Sequence, residues 1–265
     1  MSDQLDYLAH VERESARFLE AVRQTKPSAR VPTCPDWNAD DLLWHLAEVQ
    51  WFWGTIVRDQ VSGDEAEAAK PGRPAGRAEL ESFFVAASGD LARALAQAPD
   101  SQHAWTWASD QTVGFVRRRQ AHEALIHRVD AELTAGSRSA MDSALSSDGV
   151  DEALRVMFGG LPPWGAFTPD PGRSVRLRTT DTEASWLVDL GRFTGTEPDS
   201  GTAYDEPDLR PRDVDEGSPA AATVSGSAAD LDCWLWHRPT SAPLESAGDA
   251  SVLRALDAIL APGLS

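Results

Sequence analysis

Arg119-Gln120-Ala121-His122-Glu123-Ala124-Leu125-Ile126-His127-Arg128-Val129-Asp130-Ala131-Glu132 is the stretch whose reading decides the fold. Glu123 and His127 stand four residues apart. On a helix of 3.6 residues per turn they differ by only ~40° in direction and project from one face. Val116, a heptad before Glu123, turns that face toward an apolar interior. The helical pattern runs over about residues 111–135 and closes at Gly136, a residue suited to the left-handed turn after a helix. His122 and Glu123 begin a string that superficially suggests a zinc protease. That motif needs its histidines at i and i+4, whereas His122 and His127 diverge by ~140°. The protease reading is rejected, and His122 is expected off the site, toward a neighbour or solvent.

Similar periodicity recurs upstream. Leu8, Val11, Ser15, Phe18 and Val22 predict a helix within 3–25, ended by Lys26-Pro27. Val31 to Trp37 holds two prolines and reads as an ordered loop. Asn38, three residues before Asp41, is an expected N-cap. The helix it starts carries Leu42, Leu46, Val49, Phe52, Trp53 and Ile56 on one face, with His45 inside that stripe. Residues 61–77 read as a connection, and Leu80, Phe84, Ala87, Leu91 and Leu95 mark a helix over about 78–97. Four long amphipathic helices predict a helix bundle over residues 1–150. A shorter helix over about 148–158 ends at Gly159-Gly160.

The remainder changes character. Arg173–Thr180 and Ala184–Leu190 alternate like strands, and Ala221–Gly226 offers another. Residues 194–219, dense in acids, proline and glycine, read as a long acidic loop. Ala228–His237 and Ser251–Leu260 read as helices. This predicts a small α+β domain over residues 151–265.

Lys and Arg number 24 against 42 Asp and Glu, a net charge of −18. That balance argues against nucleic acid and anionic membrane surfaces as partners. A local basic pocket for a small anionic substrate remains compatible with it. No apolar run reaches membrane-spanning length, and the acidic start lacks a signal core, so a cytoplasmic protein is expected. Cys34 and Cys233 have no Cys-x-x-Cys spacing, which argues against a disulfide framework or a cysteine-rich zinc site. Cys34, between prolines, reads as a loop anchor rather than a reactive thiol. Most of the 10 tryptophans are expected in the core.

His45, Glu123 and His127 are the candidate metal ligands. Each alone has a plainer explanation: a hydrogen-bonded core histidine, or a surface i, i+4 pair. Together, two imidazoles and a carboxylate on facing helices match the donor sets of catalytic zinc and facial-triad iron. Asp130 can orient the His127 imidazole from behind or pair with an arginine such as Arg128. His10 and His103 lack partner spacing and read as structural or exposed. No Ser-His-Asp set, phosphate loop or dinucleotide fingerprint occurs.

The segment Val31-Pro32-Thr33-Cys34-Pro35-Asp36-Trp37, continued through Asp41-Leu42 to His45-Leu46, resembles a signature of the mycothiol-dependent maleylpyruvate isomerase family. The run Arg119–Glu132 is similar to that family's second motif. Ala222–Leu231, Trp236-His237-Arg238-Pro239 and Gly248-Asp249 resemble its C-terminal domain. The resemblance implies a DinB-like four-helix bundle holding a divalent metal, usually zinc, through His45, Glu123 and His127. It implies a sterol-carrier-like α+β domain after the bundle, with Arg238 the candidate for a functional arginine. It further implies mycothiol as cosubstrate, in cis-trans isomerisation or thiol transfer on a small anionic or electrophilic substrate, by a monomer or small homo-oligomer. A metal-dependent binding or regulatory module and a metal-assisted hydrolase are the alternatives. The acidic segment Thr196 to Pro219 departs from the family pattern.

Overall fold

The computed structural model describes residues 5–213 and 217–264. They form two compact units, Met1–Ala140 and Met141–Ser265. The first is built on four long helices: α1 (Tyr7–Arg23), α2 (Ala39–Asp59), α4 (Arg77–Gln97) and α5 (Val113–Thr134), with a short α3 (Gly63–Ala68) between α2 and α4. Helix α1 packs along α5 and α2 along α4, while α2–α5 and α1–α4 contacts join the pairs. Phe18, Val22, Leu42, Leu46, Leu80 and Phe84 fill the centre, where the Phe18 and Phe84 rings lie 5.2 Å apart. These are the apolar stripes that the sequence periodicity marks.

Asn38 begins α2 with a capping box. Its Oδ1 accepts from the Asp40 and Asp41 amides, and the Asp41 carboxylate accepts from the Asn38 amide. Three otherwise orphaned donors are thereby satisfied, and the start and phase of α2 are fixed. Val31–Trp37 is not the expected loop. Strands β1 (Arg30–Val31) and β2 (Cys34–Asn38) form a two-stranded antiparallel ribbon, because the prolines there need no ladder donor at an edge.

The second unit holds a five-stranded sheet in the order β5-β4-β3-β6-β7. Its strands are β3 (Gly165–Thr179), β4 (Ser185–Thr196), β5 (Ala203–Arg212), β6 (Ala222–Gly226) and β7 (Glu245–Gly248). Only the β3–β6 pair is parallel. Helices α6 (Ser143–Glu152), α7 (Ala228–Leu235) and α8 (Ala250–Leu260) share a core with the sheet through Val150, Leu231, Leu256, Leu177 and Val188. Helix α6 starts before the expected 148 and continues as a π-helical turn over Ala153–Phe158. Because α6 packs on α7, the units divide at Ala140/Met141 rather than near residue 150.

The expected acidic loop at 194–219 is largely a β4–β5 hairpin. Strand β5 is a sheet edge, where Pro207 and Pro211 are tolerated and charged side chains guard against further pairing. Its charges are also paired across the strands, Arg212 with Asp189 at 2.9 Å and Arg192 with Asp205 at 2.6 Å. Residues 214–216 of that stretch lie outside the described residues. The tryptophans depart from expectation as well: Trp53, Trp186 and Trp236 are buried, but Trp107 is 52% exposed and the others are intermediate. Among the described residues no helix is long and apolar enough to cross a membrane.

Candidate metal centre

Helices α2 and α5 each turn one face to the same point. His45 lies two turns into α2, and Glu123 and His127 lie one turn apart on α5. His45 Nε2 is 3.4 Å from Glu123 Oε1, and His127 Nε2 is 3.1 Å from the same oxygen. One donor atom from each of the three residues lies within 4.8 Å of the others. The two imidazole centroids are 4.7 Å apart with their planes at 75°. Trp37, from β2, stands 4.7 Å from the His45 ring and walls that side.

Behind His127 is Asp130, fully buried, with Oδ2 2.9 Å from His127 Nδ1. Thr33 Oγ1 donates to the other Asp130 oxygen at 2.5 Å. An ionised carboxylate only accepts, so the Nδ1 proton stays on that side and Nε2 is directed at Glu123 and His45. Arg128 is not the partner of Asp130. It is wholly buried among Glu14 at 2.5 Å and Glu132 at 2.8 Å.

Arg119, 4% exposed and one turn before Glu123, pairs with Glu123 Oε2. Burial pushes the Glu123 carboxyl upward, but the Arg119 charge and hydrogen bonds from His127 and His45 outweigh it. They hold the carboxyl well below the usual range. Burial pushes His127 down, yet its bonds to Asp130 and Glu123, with their charges, raise it to about 9.

This donor set fits a divalent cation. Two imidazoles and a carboxylate converge from two helices, and a buried carboxylate backs one imidazole, leaving coordination positions for an outside ligand. Trp37, Thr33 and Arg119 were not singled out from the sequence. Arg119 had a legible signal, its i, i−4 spacing to Glu123, whereas Thr33 and Trp37 reach the site through the β1–β2 ribbon.

The other candidates lie elsewhere. His122 is off the cluster and, of the two expected settings, faces a neighbour: it is buried, its ring edge-on to Tyr7 at 6.3 Å. His10 is buried beside Arg13, and His103 is exposed. Cys34 packs in part against the helical core, and neither cysteine is in a disulfide. Arg238 belongs to the second unit. It follows α7 where His237, at φ 57°, closes the helix: the His237 amide donates to Trp234 O and the Arg238 amide to Cys233 O. Arg238 Nη1 donates to Trp236 O at 2.6 Å.

Residues 8–132 match the mycothiol maleylpyruvate isomerase N-terminal domain, and residues 144–255 match the C-terminal domain of the same proteins. A crystal structure of the mycothiol-dependent maleylpyruvate isomerase is similar over 92% of this chain and 93% of its own, with 13% identity and a TM-score of 0.57. A histidine-to-alanine mutant of that isomerase is similar over the same shares, at 12% identity and a TM-score of 0.57. At such identity the likeness is one of fold. No curated protein sequence matches the chain. With both domain families matched in order, the chain belongs to the mycothiol-dependent maleylpyruvate isomerase family.

Proposed function

We propose that this member of the family is a metal-dependent enzyme that uses mycothiol to isomerise or substitute a small electrophile. His45, Glu123 and His127 are the metal ligands in this reading, and zinc suits a reaction without a redox step. The observation that carries it is the convergence of three donors from α2 and α5 with Asp130 seated behind His127. The family's domain order supports reading the four long helices as a DinB-like bundle and the second unit as a sterol-carrier-like domain.

When bound, a divalent cation supplies the charge that keeps a thiol ionised near neutral pH. The chain's own residues prepare the place. Asp130 keeps the Nδ1 proton of His127, so the Nε2 lone pair is available to a ligand-binding cation. Arg119 keeps Glu123 ionised, and Thr33 fixes the Asp130 carboxylate. Trp37 packs against one side of the His45 ring.

On an activated cis alkene, the thiolate lone pair forms a carbon–sulfur bond while the alkene pair moves onto the conjugated carbonyl. The resulting single bond rotates. Return of the electron pair expels the thiolate and leaves the trans alkene, with no net gain or loss of electrons or protons. On a carbon bearing a leaving group, the same attack expels that group with its bonding pair and gives a thioether. Arg238 would hold the carboxylate of a carboxylated substrate through its planar fork.

The test pairs elemental analysis with turnover. Wild type is expected to carry stoichiometric divalent metal, and His45→Ala to lose most of it. Turnover of maleylpyruvate or 1-chloro-2,4-dinitrobenzene should require both metal and mycothiol. Unchanged metal in His45→Ala removes His45 from the ligand set. Thiol-independent hydrolysis would make the protein a metal hydrolase instead, and absence of turnover with stoichiometric metal bound would favour a binding module.

A further inference from the structure

A cleft of about 400 Å³, open to solvent on one side, adjoins His45 and is lined by residues of the first unit. Its walls are unusual for a site that would receive a small diacid. Val49 and Phe52 come from the His45 helix, Trp53 from the same helix, and Trp105 and Trp107 from the loop before α5. The rings support one another: Trp53 stacks on Trp105 at 6.3 Å and leans on Trp107 at 5.5 Å, with Phe52 edge-on to Trp105 at 6.2 Å. Trp107, half exposed, stands at the mouth.

Charge completes the description. Among the residues lining the cavity Lys70 is the lone Lys or Arg, and its Nζ is 2.6 Å from Glu67 and 3.4 Å from Glu48, both of which also line the cavity. One ammonium is thus shared by two carboxylates, and the wall carries net negative charge. An anion placed among these rings would lose part of its hydration, and the wall's single lysine is already committed to two carboxylates, which is costly. An uncharged ring would exchange water for aromatic faces and edges at favourable distances. The volume suits a molecule of one or two rings, within the ordinary range of small-ligand pockets.

The geometry points to an uncharged aromatic or similarly apolar electrophile as the substrate class of this site, its ring system held by Phe52, Trp53, Trp105 and Trp107 beside His45. What is done to that ligand rests on the thiol-transfer reading above; its chemical class rests on the cavity walls.

Two dyes with one skeleton test the class without turnover. N-phenyl-1-naphthylamine is uncharged, and 1-anilinonaphthalene-8-sulfonate carries one sulfonate. Binding is measured by dye fluorescence and by quenching of tryptophan emission, in zinc-loaded and chelated protein. The uncharged dye is expected to bind about tenfold or more tighter than its sulfonate. Trp107→Ala and, separately, Val49→Asp should each weaken it by about tenfold, with unchanged far-ultraviolet circular dichroism. The inference is overturned if the sulfonate binds as tightly, if the uncharged dye does not bind, or if both substitutions leave its affinity alone. Should the dyes behave as expected while no thiol-dependent turnover is found, the thiol reading fails and the ligand class stands. If thiol-dependent turnover is found and prefers a dicarboxylate, the reverse holds.

Discussion

In metal-free protein, His127 is held as an imidazolium far into the alkaline range, and its proton is a measurable share of stability. Its side chain is 10% exposed and lies between the Glu123 and Asp130 carboxylates. The raised value, about 9 against an ordinary 6.5, corresponds to about 3 kcal/mol at about 1.36 kcal/mol per unit. A basic group whose pKa is raised by folding contributes fully below its ordinary pKa and loses that contribution as pH climbs through the raised one. The window is therefore about pH 6.5 to about 9. Glu123 is shifted the other way, so its contribution is present above its ordinary value of 4.5 and declines only on acidification. It stays level across the window. Urea denaturation in the presence of a chelator should show stability falling by about 3 kcal/mol from one end to the other. The His127→Gln protein should lack that decline, and the His127 Cε1 proton should titrate near pH 9 in nuclear magnetic resonance. Metal competes for the same ring, so apparent affinity should rise about tenfold per pH unit toward that point. A wild type of level stability across the window, or a His127→Gln protein with the same decline, refutes the reasoning.

Four more outcomes follow from particular contacts. Asp130→Asn removes the charge behind His127 and is expected to weaken metal binding about 10–100-fold, read by competition with a chromophoric chelator; unchanged affinity would reduce Asp130 to a packing role. Arg128→Met removes the fully buried cation between Glu14 and Glu132, leaving them only the partly exposed Arg13 and Arg17, and should cost about 3 kcal/mol in chemical denaturation. A Cβ on Gly63 would overlap the Trp105 ring, so Gly63→Ala should cost about 1–3 kcal/mol and shift tryptophan emission as that wall moves. Arg238→Lys should keep melting temperature, since a lysine also donates to the Trp236 carbonyl, and keep turnover of an uncharged electrophile within about twofold, while lowering turnover of a carboxylated one; equal loss on both would give the guanidinium a part in the reaction itself.

The helical half was legible because each long helix buries one stripe, and a stripe leaves a 3.6-residue period in the chain. Asn38, Asp41 and Gly136 marked ends for local reasons that tertiary context did not override. The β1–β2 ribbon and the β4–β5 hairpin were hidden because their residues are typical of loops. Proline and acids are admitted to a strand when it lies at an edge, and edge position is a property of the assembled sheet. The π-helical turn at Ala153–Phe158 has no sequence marker.

The candidate site was legible along α5 and only partly across to α2. Angular arithmetic aligns Arg119, Glu123 and His127 at successive four-residue steps, with Asp130 one turn beyond. The row alternates in sign: guanidinium, carboxylate, imidazolium, carboxylate. It is neutral when His127 is protonated, which lets it lie buried without an uncompensated charge. The pairing of Arg119 does not stand out in the sequence, because an i, i+4 ion pair is ordinarily solvated and its burial is decided by neighbouring helices. The same balance bears on what the centre would accept. Exchange of the His127 proton for a divalent cation leaves the row with one excess positive charge, and one thiolate restores neutrality. A dianion beside that thiolate would again leave charge unbalanced, and the cavity next to His45 offers only the already committed Lys70 to meet it. Charge along α5 and apolar walls along α2 therefore favour the same pair of ligands, one thiolate and one uncharged electrophile.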